Sequence, residues 1–149
     1  MDLAALVQEL QASIPGAVIE SLPTGVVIKK EDAAKAFSLL KNELSFESLQ
    51  CLTAVDRKET IEVVYHVYSF THRLMATLKV VLPMDDLNVA SVTGLWSSAD
   101  WFEREVYDLF GVRFEGHPDL RRILNPDGWT DHPLRKDFKG AGVVPKPVK

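Results

Sequence analysis

The sequence predicts an α+β fold: an antiparallel sheet meander with helices packed on one face, followed by an extended, irregular C-terminal arm. Three observations predict it. Residues 49–82 carry three strand-like runs joined by links too short for anything but hairpins. Apolar residues at helical spacing recur on both sides of these runs. Beyond Gly111 regular period fades, and Pro118, Pro126 and Pro133 interrupt the chain. The organisation expected is an α+β domain over 1–111 and a docking arm over 112–149, both in one structural unit.

In chain order, Asp2 caps a first helix in which Leu3, Leu6, Val7 and Leu10 share a face, and Pro15-Gly16 closes it. Ala17–Leu22 and Gly25–Lys29 read as short strands about the turn Pro23-Thr24-Gly25. From Glu31 to Leu44, Ala33, Ala34, Phe37, Leu40 and Leu44 form a helical stripe, with Glu31 and Asp32 in the first turn where the helix dipole favours acids. Leu49–Asp56, Thr60–Phe70 and Arg73–Leu82 are the meander. In the last of these Leu74, Ala76, Leu78, Val80 and Leu82 alternate with Met75, Thr77, Lys79 and Val81, so one face is buried. His66 and His72 are read as surface residues. Pro83 ends the sheet, and Asn88 is expected to cap a short helix carrying Val89, Val92 and Leu95.

The whole chain narrows the function. Its 149 residues make one domain with a core of its own, and a net charge of −4 argues against a dedicated nucleic-acid binder. Cys51 is the only cysteine, which excludes an intrachain disulfide and any four-cysteine cluster within the chain, and it reads as an inert core thiol. No run approaches the ~18 to 20 apolar residues that span a bilayer. The start, MDLAALVQELQ, lacks the basic region of a signal or transit peptide, so any membrane link is expected to run through partners.

Residues 100–137 stand apart. Five of the seven arginines and all three tryptophans lie between Trp96 and Arg135, and these are the side chains most enriched at protein interfaces. A helix is expected from a capping box of Ser97 and Asp100 to a C-terminal cap at Gly111, with Ala99, Phe102, Val106 and Leu109 on its apolar face. Asp100, Arg104 and Asp108 are spaced for ion pairs along another face, flanked by Glu103 and Glu105. Four acids around one arginine exceed the helix's own needs and point to a basic partner. That partner is either the downstream pairs Arg121-Arg122 and Arg135-Lys136 or another chain. Acid–base catalysis finds no nucleophile or cofactor loop beside these carboxylates. A metal site from His117 and His132 with Asp119 or Asp131 lacks the close ligand pairs such sites use. Pro118 and Pro133 hold the two histidines in extended backbone. Seven apolar residues from Phe114 to Phe138 give the arm surface to bury against its own domain and a neighbour.

These residues closely resemble the thirty-kilodalton subunit family of the proton-pumping NADH:quinone oxidoreductase, respiratory complex I. That family's signature runs Glu-Arg-Glu, two residues, an acid, two apolar residues, six residues, His or Lys, three residues, Arg. Glu103-Arg104-Glu105, Asp108, Leu109-Phe110, His117 and Arg121 meet it throughout. The run His132-Pro133-Leu134-Arg135-Lys136-Asp137 also looks like the family's.

The resemblance implies a non-catalytic assembly subunit in the hydrophilic arm of an enzyme passing electrons from NADH through FMN and iron–sulfur clusters to quinone, coupled to proton translocation. It implies no cofactor in this chain, the flavin and clusters lying in partner subunits. The partners implied are the quinone-site subunit, the terminal-cluster subunit and the ferredoxin-like subunit, at the cytoplasmic side of a bacterial inner membrane. The residues carried over as interface and signature positions are Glu103, Arg104, Glu105, Asp108, Gly111, His117, Pro118, Arg121, Arg122, His132, Pro133, Arg135, Lys136 and Asp137. Related subunits in energy-converting hydrogenases and in ferredoxin- or F420-linked complexes form the alternative.

Overall fold

The computed structural model describes residues 2–117, and the arm from Pro118 onward lies outside them. Helix α1 (Leu3–Ser13) starts where expected, with the Asp2 carboxylate accepting the Ala5 N–H at 2.9 Å. Strands β1 (Val18–Leu22) and β2 (Gly25–Ile28) form an antiparallel hairpin. A 3₁₀ turn over Lys30–Asp32 leads into α2 (Ala33–Asn42), which buries Ala33, Ala36, Phe37 and Leu40; Ala34, expected on that stripe, is exposed. Strands β3 (Ser48–Asp56), β4 (Thr60–Ser69) and β5 (Leu74–Pro83) are the predicted meander.

The five strands stand in the order β1-β2-β5-β4-β3, antiparallel except where β2 runs parallel to β5. The hairpin β1–β2 thus joins the sheet at the far side of the meander. On the core face Val26, Val63, Tyr65, Leu78 and Val80 meet Leu6 and Leu10 of α1 and Phe37 and Leu40 of α2 in one buried cluster. Phe37 lies 4.3 Å from Tyr65 between ring centroids and edge-on to Trp96 at 6.1 Å. His66 and His72 are half-buried rather than free on the surface; His66 Nδ1 lies 3.1 Å from the Thr77 hydroxyl on the next strand. Cys51 is likewise half-buried, on β3 rather than in the core.

Two short elements differ from expectation. Asn88 does not cap a helix: Asn88–Ala90 is a strand, β6, and the Asn88 amide donates to Asp86 Oδ1 at 2.9 Å. It pairs in parallel with β7 (Arg113–Glu115), in a stretch where no strand was expected. Val89 and Phe114, opposite one another, are both buried, so one apolar residue per strand defines the pair. The folded domain therefore runs past Gly111, with Val112 and Phe114 in its core. Between β6 and β7 lies α3 (Ala99–Phe110), packed beside β3.

Candidate functional site

The signature helix α3 is placed by its two ends. Before it, Trp96 is only 4% exposed and its indole N–H donates to the Phe46 carbonyl at 3.0 Å. Trp96 is thus a core anchor, not the contact residue its composition suggested. The Ser97–Asp100 capping box does not form. Ser98 is the N-cap residue, and its hydroxyl donates instead to the Leu49 carbonyl of β3 at 3.1 Å. At the other end Gly111 takes φ 81°, the left-handed cap that glycine tolerates, and its N–H reaches the Tyr107 carbonyl at 2.9 Å.

The buried face of α3 carries Ala99, Val106 and Phe110, with Phe102 and Leu109 partly buried against the core. It also carries Glu103, which is fully buried. One carboxylate oxygen accepts the Ser91 hydroxyl at 2.6 Å and the other accepts the Val92 N–H at 2.8 Å. Ser91 in turn donates its N–H to the Glu115 carbonyl at 2.8 Å and shares a hydrogen bond with the Thr93 hydroxyl. A single carboxylate therefore ties α3 to the loop after β6 and, through Ser91, to β7. Burial pushes the Glu103 carboxyl up to about 7; the Ser91 and Val92 donors pull it back, and the nearby Asp100 charge adds to the rise. Burial, and then the Glu103 charge, also pushes the Tyr65 phenol well above its ordinary range. Among the described residues its hydroxyl has no hydrogen-bond partner.

The expected acid stripe is rearranged accordingly. Asp108 is fully buried, not part of an open ion-pair row. Asp100 pairs with His117, whose ring nitrogen Nε2 lies 3.0 Å from Asp100 Oδ1 and whose side chain is wholly covered. Arg104 stacks over Trp101 at 5.7 Å from the ring centroid, and Trp101 is 56% exposed. Arg113 stacks likewise over Tyr107. Glu105 is half-buried. So Glu103 and Asp108 are interior groups, His117 is fastened to Asp100, and Trp101 is the outward part, with Arg104 half-buried over it. Pro118, Arg121, Arg122, His132, Pro133, Arg135, Lys136 and Asp137 lie outside the described residues. Trp101 is one of the three tryptophans that the composition marks as interface-type residues, and its i, i+3 spacing to Arg104 is the signal for the pair.

Among the described residues no group of three or more His, Cys, Asp or Glu side chains could hold a metal ion. No helix among them is long and apolar enough to cross a membrane.

The fold is an α+β domain whose charge-dense helix buries two of its four acids, Glu103 and Asp108. The model of the respiratory-chain NADH dehydrogenase 30 Kd subunit family matches residues 26–144. The chain belongs to that family, the 30 kDa subunit of complex I, which is part of the enzyme's hydrophilic arm.

Among its relatives, the C subunit of NADH-quinone oxidoreductase from Roseiflexus sp. (strain RS-1) is 40% identical over 92% of this chain and 84% of the relative. The counterpart from Ralstonia pickettii (strain 12J) is 42% identical over 95% of this chain and 79% of the relative. Among solved structures, the trypsin-resistant fragment (1-134) of Nqo5 matches with a TM-score of 0.69 and 34% identity, covering 80% of this chain and 100% of the fragment. A chain of the membrane-bound sulfane sulfur reductase, an archaeal respiratory membrane complex, matches with a TM-score of 0.75 and 27% identity, over 93% of this chain and 86% of that one. As a complex I subunit, the chain has other subunits of the complex as partners.

Proposed function

We propose that the chain is a non-catalytic assembly subunit that holds neighbouring redox subunits of NADH:quinone oxidoreductase in register. The observation that carries this reading is the fate of the signature acids. Glu103 is committed to Ser91 and Val92 and so fixes α3 in place, and Asp108 is sealed from solvent. A carboxylate with both oxygens occupied by its own chain is poorly placed to exchange protons with a substrate. FMN and iron–sulfur clusters belong to partner subunits in this reading. The lone, half-buried Cys51 offers no thiolate set to hold a cluster.

The finer assignments follow from the resemblance. The partners are the quinone-site subunit, the terminal-cluster subunit and the ferredoxin-like subunit, on the cytoplasmic side of a bacterial inner membrane. Arg104 and Glu105 on α3, with Pro118, Arg121, Arg122, His132, Pro133, Arg135, Lys136 and Asp137 of the arm, are the contact residues. Beyond β7, the rest of the 112–149 segment acts as the docking arm. Likeness to a sulfane sulfur reductase chain favours a second reading, the equivalent subunit of a related complex with a different electron donor.

Affinity purification of the tagged chain from native membranes tests the proposal. Iron–sulfur and quinone-site subunits should accompany it, and the recovered complex should reduce quinone with NADH. A free chain without partners overturns the assembly role, and an assembled complex inert to NADH favours the second reading. Arg121→Ala is expected to lower recovery of the complex far more than the melting temperature of the chain. A buried interface arginine can cost about 2 kcal/mol or more, whereas a surface change stays within ~0.5 kcal/mol. Equal losses in both assays would remove Arg121 from the interface.

A further inference from the structure

We propose that the turn joining β4 to β5 is a second docking element: Tyr68, Phe70 and Met75 insert into an apolar pocket of another subunit, whose rim carries carboxylates that meet Arg73. The proposal rests on the assembly role above and concerns a surface remote in sequence from the signature.

The apolar part is unusually open. Phe70 is 64% exposed and Met75 45% exposed, while most large apolar side chains of the meander are buried. Tyr68 packs edge-on against Phe70 at 5.0 Å between centroids, and Met75 is the direct cross-strand partner of Tyr68. The three therefore form one cluster on the sheet face turned away from the helices. Contiguous exposed aromatic and methionine surface is the composition of interface centres, and it costs solubility when left bare.

The cluster is also held rigid. The Phe70 N–H donates to Glu47 Oε1 at 2.8 Å, and the Thr71 hydroxyl donates to Glu47 Oε2 at 2.6 Å. Within the turn, the His72 N–H donates to the Ser69 hydroxyl at 3.0 Å. The Thr71 hydroxyl above all, helped by the backbone amides, keeps the exposed Glu47 carboxyl below its ordinary range, so the clasp is charged at neutral pH. An exposed phenylalanine whose backbone is already fixed loses little entropy on binding.

Charge indicates the partner. Arg73 is exposed in the left-handed region at φ 52°, and among the described residues it has no carboxylate partner. Glu47, the acid that clasps this turn, is already engaged by Phe70 and Thr71. An apolar knob beside an unmatched guanidinium fits an apolar pocket with acids on its rim, and suits neither a second copy presenting the same Arg73 nor an uncharged surface.

The test uses the tagged full chain expressed in place of the native copy and purified from membranes. Phe70→Ser with Met75→Ser should lower the co-purified subunits per tagged chain at least roughly tenfold. The melting temperature should move no more than for Ile19→Ser, an exposed apolar residue on β1. Arg73→Glu should also lower recovery, and Arg73→Lys should restore most of it. A photo-crosslinker at position 75 of the otherwise native chain should yield an adduct with another subunit. Wild-type recovery by the double variant, no effect of Arg73→Glu, or a crosslink only to a second copy or to lipid each overturns the proposal. Failure of the wild-type chain itself to bring down partners would instead count against the assembly role.

Discussion

Gly25→Ala is expected to detach the β1–β2 hairpin from the sheet and to cost about 3 kcal/mol or more in urea unfolding of the full chain. Gly25 is the first residue of β2 and lies opposite Thr77 in the parallel β2–β5 ladder. A Cβ built there would sit 1.6 Å from the Thr77 carbonyl oxygen and under 3.0 Å from two further backbone atoms of Thr77. Backbone on a central strand cannot swing aside as a side chain can, so the two strands must part. The ladder they would lose includes Val26 and Ile28, both fully buried against the helices. Gly94→Ala is the control, because nothing lies within 4 Å of its would-be Cβ, and it should stay within ~0.5 kcal/mol. A loss below about 1 kcal/mol at Gly25 would show that the hairpin can move away at little cost.

The same position shows what the sequence could and could not convey. The meander was legible because alternation is local: Leu74 to Leu82 announce their buried face without reference to any other strand. That β2 lies parallel to β5 is a pairing between residues far apart in the chain, and the need for glycine at 25 appears only once Thr77 is against it. β6 and β7 are three residues each, too short for any period, and Val89 fitted a helical stripe with Val92 and Leu95 equally well. The signature helix and its glycine cap are legible, yet its acids read as surface charge because glutamate is seldom buried. A signal was present: Glu103 follows Ala99 by four residues and precedes Val106 and Phe110 by three and seven, which puts it on the apolar face. What is legible as a dense charge cluster is, in space, one interior carboxylate, one sealed aspartate and an exposed Trp101 beneath a half-buried Arg104.

Glu103 also gives the second large effect, one that separates an interior clasp from a contact residue. Its carboxyl rises from the ordinary 4.5 to about 7 on folding, mainly through burial. Between those values the folded chain keeps a proton that the unfolded chain has released, so stability falls as pH rises. The fall ends once both states are ionised, above about pH 7, and amounts to roughly 3 kcal/mol.

Glu103→Gln keeps the size and an oxygen for the Val92 N–H, and its amide can donate to the Ser91 oxygen. It should flatten the pH dependence across that window, read as the urea midpoint at several pH values. Glu103→Ala should instead cost about 2–4 kcal/mol near pH 6, since it opens a cavity and strands the buried Val92 N–H. It should loosen the β6–β7 pair as well, through Ser91 and Glu115. A residue that acted only by touching a partner would leave both the pH profile and the stability of the isolated chain unmoved. A flat wild-type profile with a stable Glu103→Ala chain would therefore place the clasp elsewhere.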